Sequence, residues 1–303
     1  MADDRTRWTD RTGVFDLLTN ETRVGIVAEL AARLGDDRDG RDLSFSELRR
    51  RVEGRETGNF SYHLEPLEGT LVERTERGTY RLTERGAYLA SVLAAGFYEE
   101  HELRTVAKEV GPCPECDEPL ECRHENGLLR IACANDHAAA QILMPRSQLE
   151  RRSADELVTA ATAVAHYHTS LVRRGVCPLC HGTTEGTLEE GPAERPHVTY
   201  RCRHCGVAGF GAPGVFLLDH PAVVAFLHEH GIDAREIPPW SPLLADGGSV
   251  DSTVVSRDPP RLRCRVRLEG DELQLGFDVA AGRTRLEGPA GESAGDDGGG
   301  NGG

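Results

Sequence analysis

The sequence predicts an α+β protein with a helical N-terminal third and a C-terminal region of short strands and helices. Three observations lead to this prediction. Apolar residues recur at helical spacing up to about residue 95, with one hairpin pattern among them. All nine cysteines lie after residue 112, mostly in short paired spacings. Alternating apolar and polar residues near 250–279 are typical of a small antiparallel sheet.

The composition is acidic and almost free of lysine. The 303 residues carry a formal charge of −15, and Lys108 is the only lysine. We interpret this as the surface of a protein from a salt-rich cytoplasm, where dense carboxylates keep a chain soluble. A GC-rich genome that prefers arginine codons is the alternative. The longest apolar-rich run, 87–97, is too short to span a membrane, and the polar N-terminus lacks a signal-peptide core. We therefore expect a cytoplasmic protein.

Residues 11–98 follow a frayed tail at 1–10 and contain the helical patterns. Asn20 is predicted to cap the first long helix, and Ser44 and Glu47 form a capping-box pattern for the next. The buried face of the first long helix is predicted from its spacing to consist of Val24, Val27, Leu30, Ala31 and Leu34.

A third helix precedes a β-hairpin. Thr57 is predicted to cap this helix, with Phe60, Leu64 and Leu67 facing inward. Strands at 71–75 and 79–82 flank a turn at Gly78, and Thr83 caps a final helix. This order is typical of a winged helix-turn-helix, in which the third helix reads DNA and the hairpin lies beside it.

The outward side of this region supplies candidate contacts to double-stranded DNA. Between residues 44 and 85 there are eight arginines and eight acidic residues, so the acidic excess lies elsewhere. At about 1 M salt the Debye length is roughly 3 Å, so distant carboxylates repel phosphate little. A winged helix used only for protein contacts is the alternative. The candidate DNA-binding residues are Arg49, Arg50, Arg55, Asn59, Ser61, Tyr62, His63, Arg74 and Arg77.

The run Ser61-Tyr62-His63-Leu64, followed by Leu67, Leu71-Val72 and the Gly78 hairpin, resembles the reading helix and wing of ArsR-type transcriptional regulators. More narrowly, it resembles ArsR-like regulators of haloarchaea, which often continue into a cysteine-containing C-terminal region. The resemblance covers about residues 11–95. It implies a DNA-binding homodimer that pairs through the helix after Thr83.

The sequence departs from this family pattern in three places. The gap from Leu67 to Leu71 is one residue shorter than is typical, and Pro66 lies inside the reading helix, where it is expected to kink the last turn. The preceding helix, FSELRRRV, contains no cysteine. Metal sensing through that helix is therefore not supported.

Residues 176–212 contain two C-x-x-C pairs, Cys177/Cys180 and Cys202/Cys205. Two such pairs joined by a hairpin are typical of a zinc ribbon. Four thiolates leave no open position for water, so this Zn²⁺ is predicted to be structural.

Residues 99–148 contain a less regular group, predicted to be a second zinc-ribbon-like module. Cys113 and Cys116 precede a hairpin at 119–124 and 128–132, which ends at Cys133 and His137. These four residues are predicted to bind another structural Zn²⁺. One alternative is that Cys122 or His124 replaces one of these ligands. The other is a decayed ribbon that packs without metal.

The remaining segments complete the predicted domain plan. Ser153 caps a connecting helix within 149–175, and residues 213–287 form an α+β region with strands near 250–256, 261–268 and 272–279. Cys264 is predicted to be a buried small hydrophobe. The acidic, Gly-rich segment 288–303 is predicted to be disordered.

Together these features predict a DNA-binding transcriptional regulator with structural zinc in its C-terminal region. The order of winged helix and zinc ribbon is also similar to the large subunit of archaeal general transcription factor E, which implies contact with the transcription machinery. A zinc-dependent enzyme is the weakest alternative, because no H-E-x-x-H, G-x-S-x-G or phosphate-binding glycine loop occurs. We therefore expect no enzymatic activity.

Overall fold

The computed structural model describes residues 13–35, 42–52, 60–96, 108–125, 127–149, 151–191, 195–206, 208–245 and 247–287. The predicted tails at 1–10 and 288–303 lie outside these residues. The chain is mixed α+β with several small antiparallel sheets. It forms two compact units, Met1–Glu99 and Glu100–Gly303. None of the described helices combines the length and the apolar character that a membrane span requires.

The N-terminal unit contains five helices and a two-stranded sheet among its described residues. The helices are α1 Gly13–Leu17, α2 Glu21–Ala31, α3 Phe45–Val52, α4 Phe60–Leu64 and α5 Glu84–Ala95. A 3₁₀ turn, Glu65–Leu67, follows α4, and strands β1 Val72–Arg74 and β2 Tyr80–Leu82 pair antiparallel.

Local capping interactions begin α2 and α3 where the sequence predicts them. The Asn20 side chain accepts hydrogen bonds from the main-chain N–H groups of Thr22 and Arg23. The Ser44 N–H donates to Glu47 Oε2 at 2.9 Å, and the Glu47 N–H donates to Ser44 Oγ at 3.3 Å. The capping box therefore forms, because both partners lie within one turn of the chain.

The packing of α2 differs from the prediction in one position. Val24 is 39% exposed, whereas Ile26 is fully buried beside Val27 and Leu30. Helical spacing allows a stripe through either Val24 or Ile26, and the helices and strands that pack on α2 select the second one.

The helix predicted to read DNA is short. α4 ends at Leu64, and Pro66 lies in the 3₁₀ turn that follows. Proline has no N–H to donate to the preceding turn, so the α-helical ladder does not continue through it. Phe60, Leu64 and Leu67 are nevertheless all buried, as predicted. The predicted cap, Thr57, lies outside the described residues.

The first described element of the C-terminal unit is a four-stranded antiparallel sheet, in which the strands are paired in chain order. Its strands are β3 Lys108–Pro112, β4 Pro119–Glu125, β5 Leu128–Ala132 and β6 Ala138–Leu143. The sequence predicted only the central hairpin, β4 and β5. The outer strands lack a strong alternating pattern, and their pairing with the hairpin holds them in place.

Two helices connect this sheet to the next. A short helix, α6 Arg146–Leu149, is followed by the long helix α7 Ala154–Arg173. Ser153 and Glu156 form a capping box at the start of α7, so the predicted N-terminus of the helix is confirmed.

The second half of the unit contains two further antiparallel sheets. The first comprises β7 Thr184–Glu190, β8 Pro196–Cys202 and β9 Ala208–Gly211; the second comprises β10 Val250–Arg257, β11 Pro260–Leu268, β12 Asp271–Asp278 and β13 Arg283–Leu286. Helix α8, Pro221–Glu229, lies between them in the chain. Strand β13 was not predicted, because four residues carry too little pattern.

These two sheets share the largest hydrophobic core of the unit, in which Tyr200, Phe216 and Phe277 are almost fully buried. The Tyr200 hydroxyl donates to the Val279 carbonyl at 3.0 Å. Gly186 faces the same carbonyl so closely that a Cβ there would lie 2.4 Å from the oxygen. Cys264 is fully buried in this core, as predicted.

Candidate functional site

Cys177, Cys180, Cys202 and Cys205 converge at one end of the sheet β7–β9. Their Sγ atoms all lie within 4.8 Å of one another. The Cys177 and Cys205 sulfurs are 3.6 Å apart, and the Cys180 and Cys202 sulfurs are 3.5 Å apart. A disulfide needs about 2.05 Å, so these sulfurs are not bonded in pairs. The arrangement suits a metal ion held by four sulfurs.

These four cysteines are called the second centre, because they follow the other group of candidate ligands in the chain. The same type of main-chain turn forms both of its halves. The His181 N–H donates to the Cys177 carbonyl at 3.0 Å, and the Gly206 N–H donates to the Cys202 carbonyl at 3.1 Å. His181 and Gly206 both have left-handed backbone, with φ of 55° and 72°. Each turn therefore directs its two cysteine side chains to the same side.

Main-chain donors stabilise negative charge on Cys202. The N–H groups of Cys205 and His204 point at its Sγ, at 3.5 and 3.3 Å. These hydrogen bonds lower the pKa of the Cys202 thiol to about 6. The fold thus provides a thiolate, which is the form of cysteine that binds metal.

Cys113, Cys116, Cys133 and His137 form the first centre. Their ligand atoms also lie within 4.8 Å of one another. The Cys116 and Cys133 sulfurs are 3.7 Å apart, and His137 Nδ1 is 3.7 Å from Cys113 Sγ. The structure therefore brings the four predicted ligands together in an arrangement that suits a metal ion.

One of the two turns in the first centre matches those of the second. The Asp117 N–H donates to the Cys113 carbonyl at 3.0 Å, and Asp117 has φ of 61°. The turn after Cys133 is one residue shorter, because the N–H of Asp136, with φ of 64°, donates to the Cys133 carbonyl at 3.0 Å. The ligand His137 follows the left-handed residue rather than preceding it.

The cysteines of the first centre differ in their surroundings. Burial raises the pKa of the Cys113 thiol to about 11. The Asn135 side chain donates to Cys116 Sγ at 3.4 Å, and this bond, with the Glu118 N–H, lowers the pKa of the Cys116 thiol to about 7. Asn135 was not among the predicted site residues, although its place between Cys133 and His137 was a usable signal.

The alternative ligands Cys122 and His124 do not belong to either group of ligand atoms that the described residues form. Both side chains lie on the buried face of β4, at 0% and 1% exposure. Burial raises the pKa of the Cys122 thiol to about 11, which favours the neutral thiol. The alternating geometry of β4 directs both residues to the core rather than to the metal centre.

The candidate DNA contacts form a mostly exposed set in the N-terminal unit. Ser61 and Tyr62 are exposed on α4, Tyr62 by 60%, and His63 is half-buried. The other described members are all exposed, namely Arg49, Arg50, Arg74 and Arg77. Arg55 and Asn59 lie outside the described residues.

Arg74 is the last residue of β1, and Arg77 lies within the hairpin turn. The Arg74 guanidinium lies 5.9 Å from the centroid of the Tyr80 ring. Across the turn, the Gly78 N–H donates to the Thr75 carbonyl at 2.9 Å. The hairpin thus ends in a hydrogen-bonded turn, and both arginine side chains are exposed.

Comparison with known protein families gives two matches. Residues 11–93, most of the N-terminal unit, match a domain of unknown function, DUF7347. Searches among curated proteins and among solved structures found no match. Residues 110–281, which include both candidate metal centres, match a second domain of unknown function, DUF7351. This second match covers more than half of the chain, which therefore belongs to the DUF7351 family.

Proposed function

We propose that this chain is a DNA-binding transcriptional regulator with an ArsR-like winged helix-turn-helix in its N-terminal unit and two structural zinc ions in its C-terminal unit. The observation that carries the proposal is the division of α4 into two sides. Phe60, Leu64 and Leu67 anchor the α4 segment in the core, while Ser61 and Tyr62 face outward. Small polar side chains and a tyrosine on an exposed helix suit contacts to phosphates and base edges.

The neighbouring elements support the same function. Arg49 and Arg50 are exposed on α3, the helix before α4, and Arg74 and Arg77 lie at the hairpin. Arginines on both sides of a reading helix are the electrostatic pattern expected of a DNA-binding face. In strong salt, counterion release contributes little, so direct contacts and shape carry more of the affinity.

The last helix supports assembly as a homodimer. Tyr88 is 66% exposed and Leu93 is 41% exposed on α5. In the proposed regulator, α5 pairs with its copy, buries these side chains and spaces two reading helices for two half-sites.

The ligand distances support zinc in both centres. Zinc–sulfur bonds of 2.3 Å in a tetrahedron give sulfur–sulfur edges of about 3.8 Å. The sulfur pairs at 3.5, 3.6 and 3.7 Å are close to that value. Four cysteines, or three cysteines and one histidine, are typical structural zinc sets, and they leave no open position for a substrate. We therefore assign the metal no catalytic role and the chain no enzymatic activity.

The described cysteines form no disulfides, and thiolate-bound zinc persists in a reducing compartment. Together with the acidic, lysine-poor composition, this supports our assignment of the protein to the cytoplasm of a halophilic archaeon.

The Tyr62→Ala substitution tests the DNA-binding face directly. It is expected to weaken binding about tenfold or more, since one contact at a base edge contributes roughly 1–3 kcal/mol. Gel shifts in concentrated KCl, with genomic fragments selected by the wild-type protein, measure the loss. Tyr167→Ala is the matched control, because Tyr167 is 55% exposed on α7 in the other unit. Equal affinity of Tyr62→Ala and wild type would remove the main support for the proposal.

A general transcription adaptor is the second candidate, since metal-binding modules after a winged helix also fit a protein that contacts polymerase. Immunoprecipitation from cells at their own salt concentration, followed by sequencing of the bound DNA, separates the two. A regulator enriches one family of promoters. Co-purification of polymerase without sequence preference would favour the adaptor.

A further inference from the structure

A cavity of about 410 Å³ lies inside the C-terminal unit, between the two metal-binding modules. Its walls come from strand β6 of the first sheet, helix α7, strands β8 and β9 of the second sheet, the segment 239–245, and Pro114 and Glu115 of the first cysteine turn. We call it the inter-module cavity. Its volume is within the range of pockets that bind small organic molecules.

Most of the wall is apolar. Ile142 from β6 and Leu244 from the 239–245 segment are buried, and Phe210 from β9 adds an aromatic ring that is 42% exposed. The Trp240 indole lies in the wall at 2% exposure. Such surfaces favour the ring or hydrocarbon part of a ligand.

Two histidines add polar groups to this wall. His168 comes from α7 and His197 from β8, and the His197 ring stacks on Phe210 with ring centroids 6.0 Å apart. Among the described residues, neither imidazole makes a hydrogen bond. Burial lowers the pKa of each, which favours the neutral ring with one donor and one acceptor nitrogen. The buried Trp240 N–H also finds no acceptor in the part of the chain that the structure describes.

Arg195 supplies a positive charge to the cavity wall. Its Nη1 donates to the Pro114 carbonyl at 3.4 Å, which links the second module to the first cysteine turn. No carboxylate of the described residues lies within 4 Å of its guanidinium. The Glu115 carboxylate also lines the cavity, but it lies 3.7 Å from His137 Nε2 and does not pair with Arg195, so the guanidinium suits a carboxylate of a ligand.

We propose that the inter-module cavity binds a small aromatic carboxylate, with its ring against Phe210 and Trp240 and its carboxylate toward Arg195. The imidazoles of His168 and His197 supply the remaining hydrogen bonds. Because the walls come from both metal modules, a bound ligand contacts both and favours the arrangement seen here. This inference concerns the C-terminal unit alone and does not depend on DNA binding.

Tryptophan emission provides the binding measurement. The chain contains two tryptophans, Trp8 and Trp240, so Trp8→Phe leaves Trp240 as the single reporter. The zinc-loaded full-length variant is titrated with benzoate, phenylacetate and cinnamate, and in parallel with their uncharged amides. At least one acid is expected to change the emission saturably and raise the melting temperature, and its amide is expected to bind about tenfold more weakly. Absence of a saturable response to all of the acids, or equal binding of acids and amides, would overturn the proposal.

Two further substitutions test the position of the site. Arg195→Gln is expected to weaken the acid about tenfold and leave its amide unchanged. Arg235→Gln is the control, because Arg235 is exposed, pairs with Asp233 and lies outside the cavity wall. Ala165→Phe places an aromatic ring in the cavity from α7. It is expected to abolish binding of the acid and of its amide. Undiminished binding of the acid by Arg195→Gln would show that it binds elsewhere.

Discussion

The two candidate metal centres are built differently, although both bring four potential ligands within the same span. The second centre uses one type of turn twice, after Cys177 and after Cys202, and all four ligands are cysteines. The first centre combines that turn, after Cys113, with a shorter turn after Cys133. In the shorter turn the fourth ligand is His137, which directly follows the left-handed residue Asp136. The length of each turn, as well as the spacing of the residues, therefore determines where the ligands lie.

The centres also differ in the core to which they belong. Strand β8, which ends at Cys202, contributes Val198 and Tyr200 to the core shared with the C-terminal sheet. The first centre belongs to a smaller core around Leu120, Ile131 and Trp240. Loss of the second metal ion should therefore disturb more buried structure than loss of the first.

Cys177→Ser is expected to have the largest effect. It should remove about one zinc ion per chain and unfold most of the C-terminal unit, because structural zinc binding is worth about 10–16 kcal/mol at neutral pH. This binding free energy is as large as the whole free energy of unfolding of a typical domain, about 5–15 kcal/mol. Elemental analysis and calorimetry measure the two losses. Retention of two zinc ions per chain would show that Cys177 is not a ligand.

Cys133→Ser is expected to have a smaller effect on the fold. It should also remove about one zinc ion per chain, but the core around Tyr200 and Phe277 should keep a cooperative thermal transition. Calorimetry of this variant beside Cys177→Ser makes the comparison. An equal loss of the transition in both would mean that the two cores unfold as one, and the proposed difference would be wrong.

Substitutions at the left-handed turn residues are expected to have the smallest effects. His181→Gly should stabilise the protein by about 1 kcal/mol, because glycine adopts positive φ without strain, and Gly206→Ala should destabilise it by a similar amount. If the turn after Cys113 is equivalent, Asp117→Gly should change stability in the same direction as His181→Gly. Thermal melts of the zinc-loaded variants test this. If one glycine substitution raises the melting temperature and the other lowers it, the two turns are not equivalent.

The predictions from sequence agree with the structure where the signal is local. The capping groups Asn20, Ser153 and Thr83 act within three residues of the chain, and the structure shows each of them in place. The paired cysteine spacings were equally informative, because a C-x-x-C turn brings two cysteine side chains three residues apart to the same side. Val24 shows the limit of periodicity, since it fits the predicted stripe and is nevertheless exposed.

The sequence by itself therefore determined the α+β class, the capped helix starts and the eight clustered cysteine and histidine residues, because each of these depends on neighbours along the chain. The tertiary structure excluded the alternative ligands Cys122 and His124, because both side chains lie on the buried face of β4 and outside the first centre. It also decided the outer strands of the first sheet and the inter-module cavity. These features arise where segments distant in sequence meet, and their pairing depends on the burial and hydrogen bonding of the whole unit rather than on any local pattern.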